Sequence, residues 1–149
     1  MNTWDEYIKA ITCVSNRTDY LYEKWAKYQS VNSYHLKILY MIWVADVNTQ
    51  KEIANIYDMP KQTVNTIITE LHKKGYIKLI PSKKDMRSKV IKLTDKGIQY
   101  AESIVSPLVE FEKNVLEKMG EKHVKMMIDT MIQYADLFEK EFHEFNKLK

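Results

Sequence analysis

One cysteine, three glycines and three prolines are all that 149 residues contain of these types. A lone Cys13 closes no internal disulfide, which fits a reducing compartment such as the cytoplasm. So little glycine and proline leaves no room for a loop-rich fold. No segment reaches 18 uninterrupted apolar residues, so no membrane span is expected; the longest apolar patch, Ile38 to Val47, suits a core helix. The start, Met1-Asn2-Thr3-Trp4-Asp5-Glu6, lacks the basic lead and apolar run of an export signal. Enzymatic signatures are missing as well: there is no phosphate-cradling glycine loop, no His-Glu-x-x-His and no nucleophile motif. The four histidines (35, 72, 123 and 143) form no close metal-ligand pair, and Glu139 with His143 reads as a solvated or interface pair. No metal and no cofactor are expected.

What is present is apolar residue and localised charge. An apolar content of 45% excludes a disordered chain and suffices for a real core. Of 23 Lys/Arg and 20 Asp/Glu, 11 and 5 fall within residues 49–97, a local balance of +6; the remainder carries 12 against 15. The net +3 therefore hides a basic segment inside a mildly acidic body. A localised basic surface on a compact helical element is the electrostatic footprint of a DNA-binding module.

The periodicities order the elements. Thr3-Trp4-Asp5-Glu6 has the form of a capping box and opens a helix to about Tyr28. Asn32-Ser33 caps a second, mostly buried helix over about 34–44. Thr49-Gln50-Lys51-Glu52 is another capping box, opening a short helix with Ile53, Ala54 and Ile56. A turn at Tyr57-Asp58-Met59 follows, with Pro60 expected at the first helical position, where its missing N–H costs nothing. Val64, Ile67, Ile68 and Leu71 then fall at i, i+3, i+4 and i+7, one face of an amphipathic helix closed by Gly75. Tyr76–Ile80 and Lys89–Leu93 read as a hairpin around a polar loop. Thr94-Asp95 restarts helix. A segment over 98–118, bent near Pro107, and a last helix to about Asn146 are divided by Gly120.

The fold class is accordingly mainly α with a small β-hairpin wing: a winged helix–turn–helix flanked by long terminal helices. Three segments follow. Residues 1–32 and 98–149 form a dimerisation lobe, and residues 33–97 form the DNA-binding domain.

On the wheel of Lys61 to Lys74, Gln62, Thr66, Thr69 and Lys73 lie opposite the apolar face, with Asn65 on a flank. Gln, Asn and Thr donate and accept hydrogen bonds at base edges without burying net charge. Lys51, Lys61 and the Thr49 hydroxyl suit phosphate oxygens, which fix register. In the loop, Lys83 and Lys84 add charge, and Arg87 is the residue expected to enter a narrow, electronegative minor groove. Asp85 is expected to pair with Arg87 and orient it. A merely solvated helix face and an incidental loop ion pair are the plain alternatives.

These residues resemble the MarR family of bacterial transcriptional regulators. The resemblance is carried by Thr49-Gln50-Lys51-Glu52-Ile53-Ala54, Lys61-Gln62-Thr63-Val64, Leu71-x-x-Lys74-Gly75-Tyr76-Ile77 and Asp85-x-Arg87-Ser88-Lys89, ending in Leu93-Thr94-Asp95-Lys96-Gly97. The Asp-x-Arg wing with its trailing Leu-Thr and Gly is the specific part. The resemblance implies an obligate homodimer with interleaved terminal helices, a palindromic double-stranded DNA operator usually bound to repress, recognition helices in successive major grooves and wings in minor grooves. Independently, Trp4, Tyr7, Met127, Met131, Leu137, Phe138, Phe142 and Phe145 are more apolar surface than a small lobe buries alone, which also points to a dimer.

The resemblance further implies a small phenolic or lipophilic effector bound between the lobes. Trp25, Tyr34, Ile38, Trp43 and Tyr100 are its candidate wall, placed near that junction by element order; ordinary core and interface aromatics are the alternative. Peroxide-sensing relatives carry a reactive cysteine in the first helix, but Ile11-Thr12-Cys13-Val14 offers no adjacent cation or histidine to activate the thiol. Redox sensing through Cys13, a nonspecific architectural DNA binder and a protein-interaction module that kept the fold remain the competing functions.

Overall fold

A computed structural model describes residues 2–82 and 89–147. Its order is α1 (Thr3–Tyr28), α2 (Ser33–Trp43), α3 (Gln50–Ile56), α4 (Lys61–Lys73), β1 (Ile77–Pro81), β2 (Lys89–Leu93), α5 (Asp95–Met119) and α6 (Glu121–Lys147). This is the mainly α architecture with a two-stranded antiparallel hairpin that the periodicities call for. Two compact units make up the chain, Met1–Leu108 and Val109–Lys149.

The first unit holds the core. Buried side chains come from α2 (Leu36, Ile38, Leu39), α3 (Ile53), α4, the hairpin (Ile77, Ile91) and α5 (Ala101, Val105, Leu108). All four residues of the i, i+3, i+4, i+7 stripe of α4 are buried. Each such aliphatic side chain removed from water contributes roughly 1.5–3 kcal/mol, so the stripe alone anchors α4 firmly. In the second unit, by contrast, no described residue is buried.

Several boundaries differ from the sequence reading for physical reasons. The first helix is capped one residue earlier: Asn2 accepts from the Trp4 N–H at 2.6 Å, and Asp5 reaches back to the Asn2 N–H at 3.0 Å. Asn2-x-x-Asp5 and Thr3-x-x-Glu6 are overlapping boxes, and the first one forms. Pro60 is the cap residue rather than the first helical one, because its ψ of 126° is extended while its carbonyl already accepts from Val64. Tyr76 does not begin β1, since its N–H is taken by the Leu71 carbonyl at the end of α4. That bond is the outer half of a Schellman motif, and Gly75 makes it possible with a φ of 74°. Beyond the hairpin, α5 starts at Asp95 and runs as one helix through Pro107 to Met119.

Candidate nucleic-acid interface

The helix–turn–helix is built from local bonds. Thr49 accepts from the Glu52 N–H at 3.2 Å and donates its hydroxyl to the Glu52 carboxylate at 2.6 Å, so the cap uses both halves of that hydroxyl. A phosphate contact by Thr49 requires one of these bonds to be given up. The turn to α4 passes through Asp58 in the left-handed region (φ 46°), where an aspartate is tolerated, and it is pinned by the buried Met59, whose N–H donates to Ala54. The segment before α3 is tied to the hairpin as well: Ile91 donates to the Asn48 carbonyl at 2.7 Å, and Thr49 bridges Val90.

With its apolar stripe buried, α4 exposes Lys61, Gln62, Asn65, Thr66, Thr69 and Lys73 together. Asn65, Thr66, Thr69 and Lys73 line one shallow groove of about 420 Å³. The sequence-based candidates on this helix are thus one contiguous surface. Their chemistry is not uniform, however. Thr66 donates its hydroxyl to the Gln62 backbone carbonyl at 2.9 Å, one turn back. Lys51 is exposed on the neighbouring α3.

Two features escaped the wheel. Glu70 lies in the same groove, held by Lys74 at 2.6 Å. The hydrogen bond from Lys74 keeps its carboxyl below the usual carboxylate range, so it is an anion at neutral pH. The i, i+4 spacing was its signal. On the hairpin, Lys78 stands directly opposite Lys92 in the register, both exposed. Like charges in facing positions disfavour a sheet, and an anion laid across them removes the penalty. Strand alternation was the signal there. Lys83, Lys84, Asp85 and Arg87 lie outside the described residues.

The root of the hairpin is tightly fixed. Thr94 donates to the Gly75 carbonyl at 2.7 Å and accepts from the Gly97 N–H at 3.0 Å, capping α5 against the end of α4. A Cβ on Gly97 would stand 1.7 Å from the Tyr76 carbonyl oxygen, so only glycine admits this backbone crossing. Lys96 lies over the Tyr76 ring at 4.9 Å and donates to the Lys74 carbonyl. The Tyr76 ring also stacks on Tyr100, with centroids 4.1 Å apart and planes 4° from parallel. Tyr100 in turn meets the buried His35 of α2, Oη to Nε2 at 3.0 Å. Burial holds the imidazole below its ordinary value and the phenol above it, which favours the Tyr100 O–H donating to a neutral His35.

The five candidate effector residues are therefore differently placed. Ile38 is fully buried, Tyr34 is exposed, Trp25 and Trp43 are partly buried, and Tyr100 is committed to Tyr76 and His35. None lines the α4 groove. Cys13 is exposed on α1. Glu139 and His143 do face each other at 3.6 Å, both well exposed. Among the described residues there is no cluster of three metal-ligating side chains, and no helix is long and apolar enough to cross a membrane.

Comparison with known proteins agrees with this geometry. The family model of the MarR family matches residues 31–89, from just before α2 to the first residue of β2. A MarR family regulator from Neisseria meningitidis is 27% identical, covers 97% of this chain and 99% of its own, and superposes with a TM-score of 0.77. MepR of S. aureus, solved as a DNA complex, is similar in fold at 19% identity, with 92% and 99% covered and a TM-score of 0.68. BldR, a transcriptional regulator from Sulfolobus solfataricus, gives 17% identity, 90% and 99% coverage and a TM-score of 0.63. No curated protein sequence matches. The capped α3 and the buried stripe of α4 fall within the matched segment, and over that segment the chain is similar to the MarR family of winged helix–turn–helix transcriptional regulators.

Proposed function

We propose that this protein is a homodimeric repressor that binds a palindromic double-stranded DNA operator and is released by a small aromatic or lipophilic effector. The observation that carries the reading is the division of α4: four apolar residues buried, and six polar or cationic ones exposed on the opposite side. That is how a recognition helix keeps its place in a domain while offering hydrogen-bonding groups to a major groove. Gln62, Asn65, Thr66 and Thr69 face the bases; Lys51, Lys61, Lys73 and the Lys78–Lys92 pair face phosphates. Arg87 and its loop lysines enter the minor groove, with Asp85 orienting the guanidinium.

Dimerisation through residues 1–32 and 98–149 is supported by the terminal helices, which leave Trp4, Tyr7, Met131, Phe138 and Phe142 more than half exposed in the single chain. Tyr34, Trp25 and Trp43, none of them fully buried, are the candidates for an effector wall. An effector that prefers the DNA-incompetent state by only about 1–3 kcal/mol shifts occupancy usefully. The chemistry is binding, carried out in the cytoplasm, with no catalytic step.

The test is selection of bound sequences from a randomised duplex pool at near-physiological salt. A palindrome with half-sites about one helical turn apart is the expected result. Binding without an enriched sequence, collapsing as salt rises, overturns the reading in favour of a nonspecific electrostatic binder.

A further inference from the structure

The polar face of α4 contains one residue whose only hydrogen-bond donor is already spent. The Thr66 hydroxyl donates to the Gln62 backbone carbonyl at 2.9 Å, whereas no side-chain hydrogen bond of Gln62, Asn65 or Thr69 forms among the described residues. A threonine in this state cannot donate to the base acceptors of the major groove, namely N7 and O6 of guanine, N7 of adenine or O4 of thymine. Oγ1 and the γ-methyl branch from the same Cβ. With Oγ1 turned back onto the helix, the methyl is the branch left without a helix partner. Thr66 is exposed and lines the groove with Asn65, Thr69, Glu70 and Lys73. The major groove offers an apolar feature of matching size at one base only, the 5-methyl of thymine.

We propose that Thr66 is a thymine reader, selecting its base by methyl–methyl contact while its hydroxyl stays bonded to Gln62. The inference rests on α4 being the recognition helix. It divides labour along the helix: Gln62, Asn65 and Thr69 read donors and acceptors, and Thr66 reads an apolar group. The back-bonded hydroxyl also holds the rotamer, so the methyl is presented without further loss of side-chain freedom on binding.

The test uses the operator recovered by selection, with each thymine replaced in turn by deoxyuracil, which removes the 5-methyl and nothing else. Affinities are measured for the wild type, Thr66→Ser and Thr66→Val, each checked for an unchanged helical spectrum. Serine keeps the hydroxyl and its bond to Gln62 but lacks the methyl; valine keeps a methyl and lacks the hydroxyl. The wild type should lose about fourfold in affinity at one thymine per half-site, the effect of burying one methyl-sized group. Valine should retain that thymine preference, and serine should abolish it. If uracil is tolerated everywhere, or if serine discriminates as the wild type does, the thymine assignment falls while the regulator reading stands. If the pool yields no operator, the regulator reading falls first and takes the assignment with it.

Discussion

Helices α4 and α6 have the same amphipathic pattern and opposite fates. In α4, Val64, Ile67, Ile68 and Leu71 are all buried against α2, α3 and the hairpin. In α6, Met127, Met131, Phe138 and Phe142 repeat at helical spacing and every one is exposed. The difference lies in supply rather than in pattern. Residues 33–108 contain enough apolar surface on facing elements to close a core; among the described residues of 109–147, the end of α5 and all of α6, none is buried. A periodic apolar stripe specifies that a face will be buried, and only the inventory of partners within the chain says whether it buries itself.

Four experiments sharpen or break this contrast. The largest effect is expected in the self-sufficient half. Gly97→Ala forces a Cβ onto the Tyr76 carbonyl, and the backbone crossing must open; a loss of about 3 kcal/mol or outright unfolding in urea titration is expected. A stability loss below ~1 kcal/mol, an ordinary helix substitution, would show that the crossing is loose. In the unfinished half, Phe142→Glu is expected to weaken self-association by about 2 kcal/mol or more while leaving the circular dichroism of the winged domain in place. Sedimentation as a function of concentration reads this directly. A variant that associates like the wild type removes α6 from the interface.

At the interface with DNA, Arg87→Ala should weaken operator binding by about 1–3 kcal/mol without changing assembly. Unchanged affinity removes the wing from the mechanism. The smallest effect concerns His35. Because burial depresses its folded-state value, the unfolded chain binds more protons below about pH 6.5, so stability should fall as pH drops through that window and be fully present above it. Glu70, whose value is also depressed, loses its contribution only in more acid solution, which separates the two windows. His35→Gln should flatten the urea midpoint between pH 7 and pH 5.5; an identical slope in the variant assigns the pH dependence elsewhere.

Much of the fold was legible in the sequence because its signals are local. The α4 stripe, the Thr49 cap and Gly75 at the end of α4 each depend on residues within one or two turns. Where two local signals overlapped, as at Asn2 and Thr3, the sequence could not rank them. Tyr76 was read into β1 for its β propensity, but the helix end claimed its N–H first. Long-range features left no trace in the pattern. The His35–Tyr100 bond spans 65 positions, and the Tyr76–Tyr100 stack joins a turn to the next helix. Element order alone therefore does not disclose that the Tyr100 ring stacks on Tyr76 and meets His35. The candidate DNA-contacting residues of α4 were readable because one helix presents them all, whereas Glu70 hid behind an ordinary-looking helix ion pair.

The bridge between Thr49 and Val90 carries a practical consequence. It brings the entry of the helix–turn–helix and the return strand of the wing side by side, so the chain between them begins and ends at nearly the same place. Such a segment is a cassette in its ends but not in its flank, because Lys74, Gly75 and Tyr76 meet Thr94, Lys96, Gly97 and Tyr100 outside it. An exchange of residues 49–90 between relatives therefore has to keep those root contacts and the buried positions of α3, α4 and β1 if the receiving framework is to hold.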